Sequence, residues 1–132
     1  VSVLLGMPGE TPNDVVATLE LVRDLAAKKA VIFPIFYEPL VSGQEADRQR
    51  FTLAKMSPEH LELYRTCYEQ NFRMVPRLFW DNQRAGGVSW TKRVVMQTLG
   101  RGEVMTWRRT FRRLHRQMER SVPIVEKEQV YA

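Results

Sequence analysis

Gly6-Met7-Pro8-Gly9-Glu10-Thr11 combines two features that serve ligand chemistry. Its glycines let a backbone come close to a bound group, and the helix start that follows offers unpaired N–H groups. The apolar run Val1-Ser2-Val3-Leu4-Leu5 precedes it. The segment therefore stands at the carboxyl end of a strand, where α/β sheets and barrels bind their ligands. No Gly-Lys-Ser/Thr follows, so it is not a Walker loop, and its spacing is not that of the dinucleotide fingerprint. A tight turn without a ligand is the alternative.

A second candidate is an arginine cluster: Arg108, Arg109, Arg112, Arg113 and Arg116. The planar guanidinium fork binds phosphate and carboxylate at two points. Residues 84–120 hold ten Lys/Arg against Glu103 and Glu119, whereas residues 1–83 hold nine Lys/Arg against eleven Asp/Glu. The preference for anions thus belongs to the second half alone. Three uses fit this helix. It is the charged face of a packing helix, or an anion-binding surface for RNA, a nucleotide or acidic lipid, or a helix that meets a partner.

The remaining reactive side chains read as structural. Cys67 is the only cysteine, which excludes an internal disulfide and a multi-cysteine metal site within these residues. A small core residue is the expectation for it. His60 and His115 have no ligand partner at helical spacing and are expected to be solvated. Asp14, Glu20 and Asp24 read as the solvated face of one helix rather than an acid/base pair.

These groups need elements to hold them. Residues 1–6 are apolar on both faces, as in a central parallel strand. Thr11 is the expected N-cap, Pro12 the first helical residue, and Asp14 completes a near capping box. Val15, Leu19, Val22 and Ala26 then recur at helical spacing, widened by Val16 and Leu25. Ala30 to Tyr37 is a second apolar run, whose Pro34 places it at an edge or a bulge. Strand, helix and strand make one parallel βαβ unit, expected to be right-handed.

Residues 44–56 read as a polar, partly helical connection. Ser57 and Pro58 open a helix that buries Leu61, Tyr64, Tyr68 and Phe72, and Val75-Pro76 is expected to end it. Residues 76–90 read as a loop or short helix with a joint at Gly86-Gly87, and a helix near 91–99 is expected to stop at Gly100-Arg101-Gly102. From Glu103 to Arg120, Val104, Trp107, Phe111, Leu114 and Met118 recur at spacings of three and four, so Trp107 and Phe111 are expected to be buried.

Hydrophobic residues make up 44% and charged residues 27% of 132, which suits a globular domain and argues against wholesale disorder. The apolar runs are too short to span a bilayer, and no signal-peptide pattern opens the chain. A cytoplasmic location is the expectation. A strand at residue 1 needs neighbours, so the chain is expected to be a fragment or processed product whose sheet continues in an upstream part of the same polypeptide.

The run LLGMPGETPNDVVATLELVRDL resembles the fifth-strand segment of radical S-adenosylmethionine enzymes, which commonly read Gly-Leu-Pro-Gly-Glu-Thr before an amphipathic helix. VIFPIFYEPLVSG resembles their sixth strand, although Glu38-Pro39-Leu40-Val41-Ser42-Gly43 replaces the usual Pro-Gly-Thr-Pro loop. The resemblance implies an α/β fold. Residues 1–43 would be the last two βα units of a partial (β/α)6 TIM-like barrel, followed by a connection (44–56), a helical C-terminal extension (57–122) and a tail (123–132). It implies S-adenosylmethionine as cofactor. Leu4 would lie against the adenine, Gly6, Gly9 and Glu10 would shape the turn, and the backbone near Ile35, Phe36 and Tyr37 would meet the adenine. Barrel packing is the alternative role for each of these.

The family's CxxxCxxC motif holds a four-iron, four-sulfur cluster, which Cys67 alone cannot hold. The cluster is therefore expected in the parent protein, upstream, and this fragment alone is expected to be inactive. The layout of 57–120 resembles members with an N-terminal cobalamin-binding domain, which adds cobalamin as a candidate cofactor. The extension would cap the substrate opening, its arginines suiting an anionic substrate. The alternative function is a non-enzymatic basic module that binds nucleic acid or another anionic partner through residues 101–120.

Overall fold

The computed structural model describes residues 1–40 and 42–121. The expected tail at 123–132 lies outside them, as does Val41 in the loop that departs from the family pattern. Strand β1 (Ser2–Leu5) leads through a turn into helix α1 (Pro12–Leu25) and returns as β2 (Phe33–Phe36). A short helix α2 (Gln44–Gln49) and a 3-10 turn (Leu53–Lys55) follow. Two long helices, α3 (Pro58–Ala85) and α4 (Trp90–Ser121), complete a mostly helical molecule around a small parallel sheet.

β1 and β2 pair in parallel, Ser2 against Phe33 and Leu4 against Ile35. Only one face of the sheet is covered. Val3 and Leu5 are buried with Val15, Leu19 and Val22 of α1 and Leu61, Leu63 and Cys67 of α3. On the other face Leu4 and Ile35 are 42% and 47% exposed. The sequence shows apolar side chains on both faces of β1, and the described residues bury one of them.

The two edges of the sheet differ. The N–H groups of Phe33 and Tyr37 donate to Val1 and Leu5, so alternation turns Ile32, Pro34 and Phe36 to the outer edge of β2. There the side-chain amide of Asn71 on α3 satisfies Ile32 twice, accepting from its N–H at 2.7 Å and donating to its carbonyl at 2.6 Å. Pro34 has no N–H to leave unpaired, which is why an edge tolerates it. At the far edge of β1, Ser2 and Leu4 face outward with no strand beside them among the described residues.

α1 begins as its sequence predicts. Thr11 caps it, and the Asp14 carboxylate accepts from the Thr11 N–H at 2.8 Å in a full capping box. α3 and α4 are both longer than expected. Pro76 lies inside α3, and Gly100 and Gly102 lie inside α4. A proline costs a helix roughly 3 kcal/mol and a glycine about 1. Packing of α3 against both α1 and α4 carries the helices through these breakers. Gln97 also donates to the Pro76 carbonyl at 3.0 Å, tying α4 to the kink-prone turn. The expected Gly86-Gly87 joint is a tight turn between the helices, with Gly87 at φ 71° and the Val88 N–H bonded to the Gln83 carbonyl at 3.1 Å.

Phe111 stacks on Tyr68 with ring centroids 4.6 Å apart, and Met118 packs against the core. Trp107 and Leu114 of the same expected stripe are 63% and 52% exposed. The buried seam of α4 is shifted toward Gln97, Phe111 and His115, leaving those two on its flank. A carboxylate clamp closes the pair. Glu69 of α3 accepts from Arg108 Nε at 3.0 Å and from Arg112 Nε at 2.6 Å.

Burial raises the Glu69 pKa, but hydrogen bonds from Arg112 and Arg108 and their charges outweigh it, so the carboxyl lies below its ordinary value. A depressed carboxylate stabilises the fold above its unfolded value, about 4.3, and that contribution vanishes as pH falls through the lower folded value. Urea midpoints at pH 7 and pH 3 test this. Glu69→Gln should cost about 1–2 kcal/mol at pH 7 and flatten the acid loss. Gly100 and Gly102 have open space where a Cβ would stand. Gly100→Ala and Gly102→Ala should therefore each raise stability by about 0.5–1 kcal/mol in the same assay.

Candidate functional site

The turn between β1 and α1 is shaped by two left-handed glycines, Gly6 at φ 75° and Gly9 at φ 83°. L-residues with a side chain pay for that region, so glycine is favoured at both. The Glu10 N–H closes the turn onto the Met7 carbonyl at 3.0 Å. The Glu10 carboxylate folds back and accepts from the Gly6 N–H at 2.8 Å. The same oxygen lies 2.8 Å from Nε2 of His60, fifty residues on. Both side chains are close to nine-tenths buried.

His60 sits at the third position of α3 and takes the capping-box role usually given to a carboxylate. Its Nδ1 accepts from the Ser57 N–H at 3.2 Å and lies 2.8 Å from Ser57 Oγ. An acceptor Nδ1 leaves the ring proton on Nε2, which donates to Glu10. Ser57, His60 and Glu10 thus stand in the order of a hydroxyl–imidazole–carboxylate relay. Ser57 Oγ is also the helix cap, accepting from the His60 N–H at 3.4 Å. The relay is a brace that fixes the turn to α3.

Phe51 fills the space above Gly6. A Cβ on Gly6 would lie 1.9 Å from Cγ of that ring, so glycine is demanded here by contact as well as by φ. Phe51 meets Phe36 edge to face at 5.6 Å and packs at a tilt against His60 at 4.9 Å between ring centroids.

The structure divides the seven residues expected at the cofactor. Leu4 and Ile35 are register partners on the open face. Gly9 is exposed with nothing within 4 Å of its missing Cβ. Gly6 and Glu10 bond to each other, so their polar groups are already engaged. Phe36 packs against the covered core. The Tyr37 backbone is used twice, donating to Leu5 and accepting from Phe51 at 3.2 Å. What faces outward is an apolar pair beside a rigid turn, suited to an aromatic ring rather than to a charge.

Cys67 is fully buried, and burial pushes its thiol up to about 11, which disfavours the thiolate a metal needs. Among the described residues no group of three His, Cys, Asp or Glu could hold a metal ion. These residues do not fit an iron–sulfur cluster. His115 is buried rather than solvated, with Nε2 3.0 Å from the Leu61 carbonyl. The expectation of a solvated His60 fails in the same way, because each ring found a distant partner that spacing does not reveal.

The five arginines separate too. Arg108 and Arg112 are spent on Glu69, Arg109 lies against the Met105 sulfur, and Arg113 and Arg116 are exposed. Sequence reading missed the Glu10–His60 pair, for which the only signal was the Ser57-Pro58-Glu59-His60 start of α3. No helix among the described residues is long and apolar enough to cross a membrane. Comparison with protein-family models, curated proteins and solved structures finds no match to this chain.

The two glycines should differ on substitution. Gly9→Ala meets only the left-handed backbone cost, about 1–2 kcal/mol. Gly6→Ala adds the collision with Phe51 and should cost about 2–4 kcal/mol. Thermal unfolding of the two variants measures the gap, and equal losses would mean Phe51 does not sit over the turn.

Proposed function

We propose that the chain forms the closing strand–helix–strand unit and the helical cap of a radical S-adenosylmethionine enzyme. In this reading β1 and β2 are the last two strands of a partial (β/α)6 barrel. The cluster is held by other residues of the same polypeptide, and no step of the reductive cleavage uses a side chain of this chain. Its contribution is an apolar wall, Leu4 and Ile35, beside a turn that Glu10 and His60 keep rigid. A wall of this kind orients a cofactor through contact and excludes water from it.

The observation that carries the reading is the asymmetry of the sheet. At the outer edge of β2 Asn71 satisfies Ile32 and Pro34 has no N–H to pair, while among the described residues β1 has no strand at its far edge and the open face stays apolar. A sheet with these edges extends more readily past β1, as a final pair of barrel strands does. The GMPGET sequence at the carboxyl end of β1 adds the family resemblance. An anionic substrate and a cobalamin domain are further parts of the proposal, resting on the exposed arginines of α4 and on the layout of the helical half.

A basic module that binds nucleic acid is the second reading. Arg109, Arg113, Arg116 and Arg120 are exposed on α4 and favour it.

Leu4→Asp in the native full-length polypeptide separates the two. Leu4 is outside the buried core, so the fold should survive. Equilibrium binding of S-adenosylmethionine should weaken by at least about tenfold, as a charge placed against an apolar ring requires. Normal binding by this variant, or a native polypeptide with no CxxxCxxC motif, would sink the enzyme reading. Nucleic-acid binding that falls steeply with salt and with Arg113→Glu would then favour the basic module.

A further inference from the structure

A cleft of about 480 Å³ lies between α3 and α4, at the end of the molecule marked by Lys29. Lys29 precedes β2, whereas the Gly6–Glu10 turn follows β1. In a parallel pair those are opposite ends of the sheet, so this cleft is separate from the site described above. Its floor is apolar and aromatic, made by Pro76, Trp80 and Val94. Its rim is cationic, with Arg77 from α3, Arg101 from α4 and Lys29 from the loop.

The charges of this cleft are left unbalanced. Its carboxylate, Asp81, is held by Lys29 at 2.8 Å. Arg77 and Arg101 make no ion pair or hydrogen bond through their side chains among the described residues. The Arg93 guanidinium lies over the Trp80 ring, 4.9 Å from its centroid. Arg93 Nε is buried there without a hydrogen-bond partner. This contrasts with Arg108 and Arg112, which share Glu69. Two arginines, one from each of two packed helices, line this concavity and suit an anion with several oxygens. The volume and the Trp80 floor suit a small organic ligand better than a bare ion.

We propose that this cleft binds a small phosphate ester carrying a planar ring, a nucleotide by chemical class. The phosphates lie between Arg77 and Arg101, and the ring lies on the Pro76–Trp80–Val94 floor. Lys29 neutralises Asp81, which would otherwise repel the ligand.

Titration of the full polypeptide with adenosine triphosphate, followed by calorimetry, tests the site, with pyrophosphate, adenosine and a ten-residue oligothymidylate as parallel probes. The nucleotide should bind more tightly than either half. Arg77→Glu and Arg101→Glu should each weaken it by about tenfold or more, the loss of one charge-assisted contact. Trp80→Leu should weaken the nucleotide and leave pyrophosphate unchanged. Arg113→Glu, outside this cleft, should change nothing. Because Arg77 and Arg101 are exposed, circular dichroism of both variants should match the parent. Absence of nucleotide binding, or equal binding of adenosine, would overturn the proposal. So would an oligonucleotide that binds far more tightly and loses that binding with Arg113→Glu, since the anion surface would then lie around Arg113.

Discussion

Ile32 is fully buried just before β2, with both backbone groups turned away from β1. A buried backbone donor and acceptor left unpaired would each cost about 1–3 kcal/mol. Asn71 supplies both partners from the middle of α3. That requirement sets the position of α3 along the sheet, and the rest of the molecule follows from it. With Asn71 in place, Leu61, Leu63 and Cys67 meet the buried face of β1 and α1. The start of α3 then falls beside the first turn, where His60 reaches Glu10. α4 folds back along the length of α3, from Pro76, whose carbonyl accepts from Gln97, to Leu61, whose carbonyl meets His115.

The turn after β1 shows how a rigid loop is made from few residues. Two glycines allow the path, and Glu10 satisfies the Gly6 N–H that the path leaves exposed. A carboxylate so engaged needs a second donor, which α3 supplies through its own capping histidine. The brace therefore links a loop to a helix end without a metal and without a disulfide. Its polar atoms are consumed in doing so, and the surface left over is the apolar pair Leu4 and Ile35.

The helical hairpin solves a different problem. α4 carries more charge than its contact with α3 can neutralise, and its charges are sorted by position. Arg108 and Arg112 stand where Glu69 can reach both. Arg113 is exposed, and Arg116 lines a cleft with Arg65 and Glu69 of α3. Arg77 and Arg101 line a cleft whose one carboxylate is already held by Lys29. Sequence periodicity describes the stripe, but a rotation of the helix by a fraction of a turn decides which arginine meets which partner.

Residue type alone determined the strand–helix–strand order, the Thr11 and Ser57 caps and the Gly86-Gly87 turn, because each depends on neighbours within a few positions. Periodicity likewise marked Val15, Leu19 and Val22 for the core, and apolar spacing marked Leu61. Tertiary structure decided the rest. Pro76, Gly100 and Gly102 failed to end their helices because packing across α3 and α4 outweighs a local cost of a few kcal/mol. His60 and His115 are drawn out of solvent by Glu10 and the Leu61 carbonyl, partners fifty or more residues away that no spacing rule reaches. In sequence Leu4 and Ile35 read as cofactor contacts or, alternatively, as barrel packing. They stay exposed because a side chain is buried only when some element covers its face, and here α1 and α3 both cover the other one.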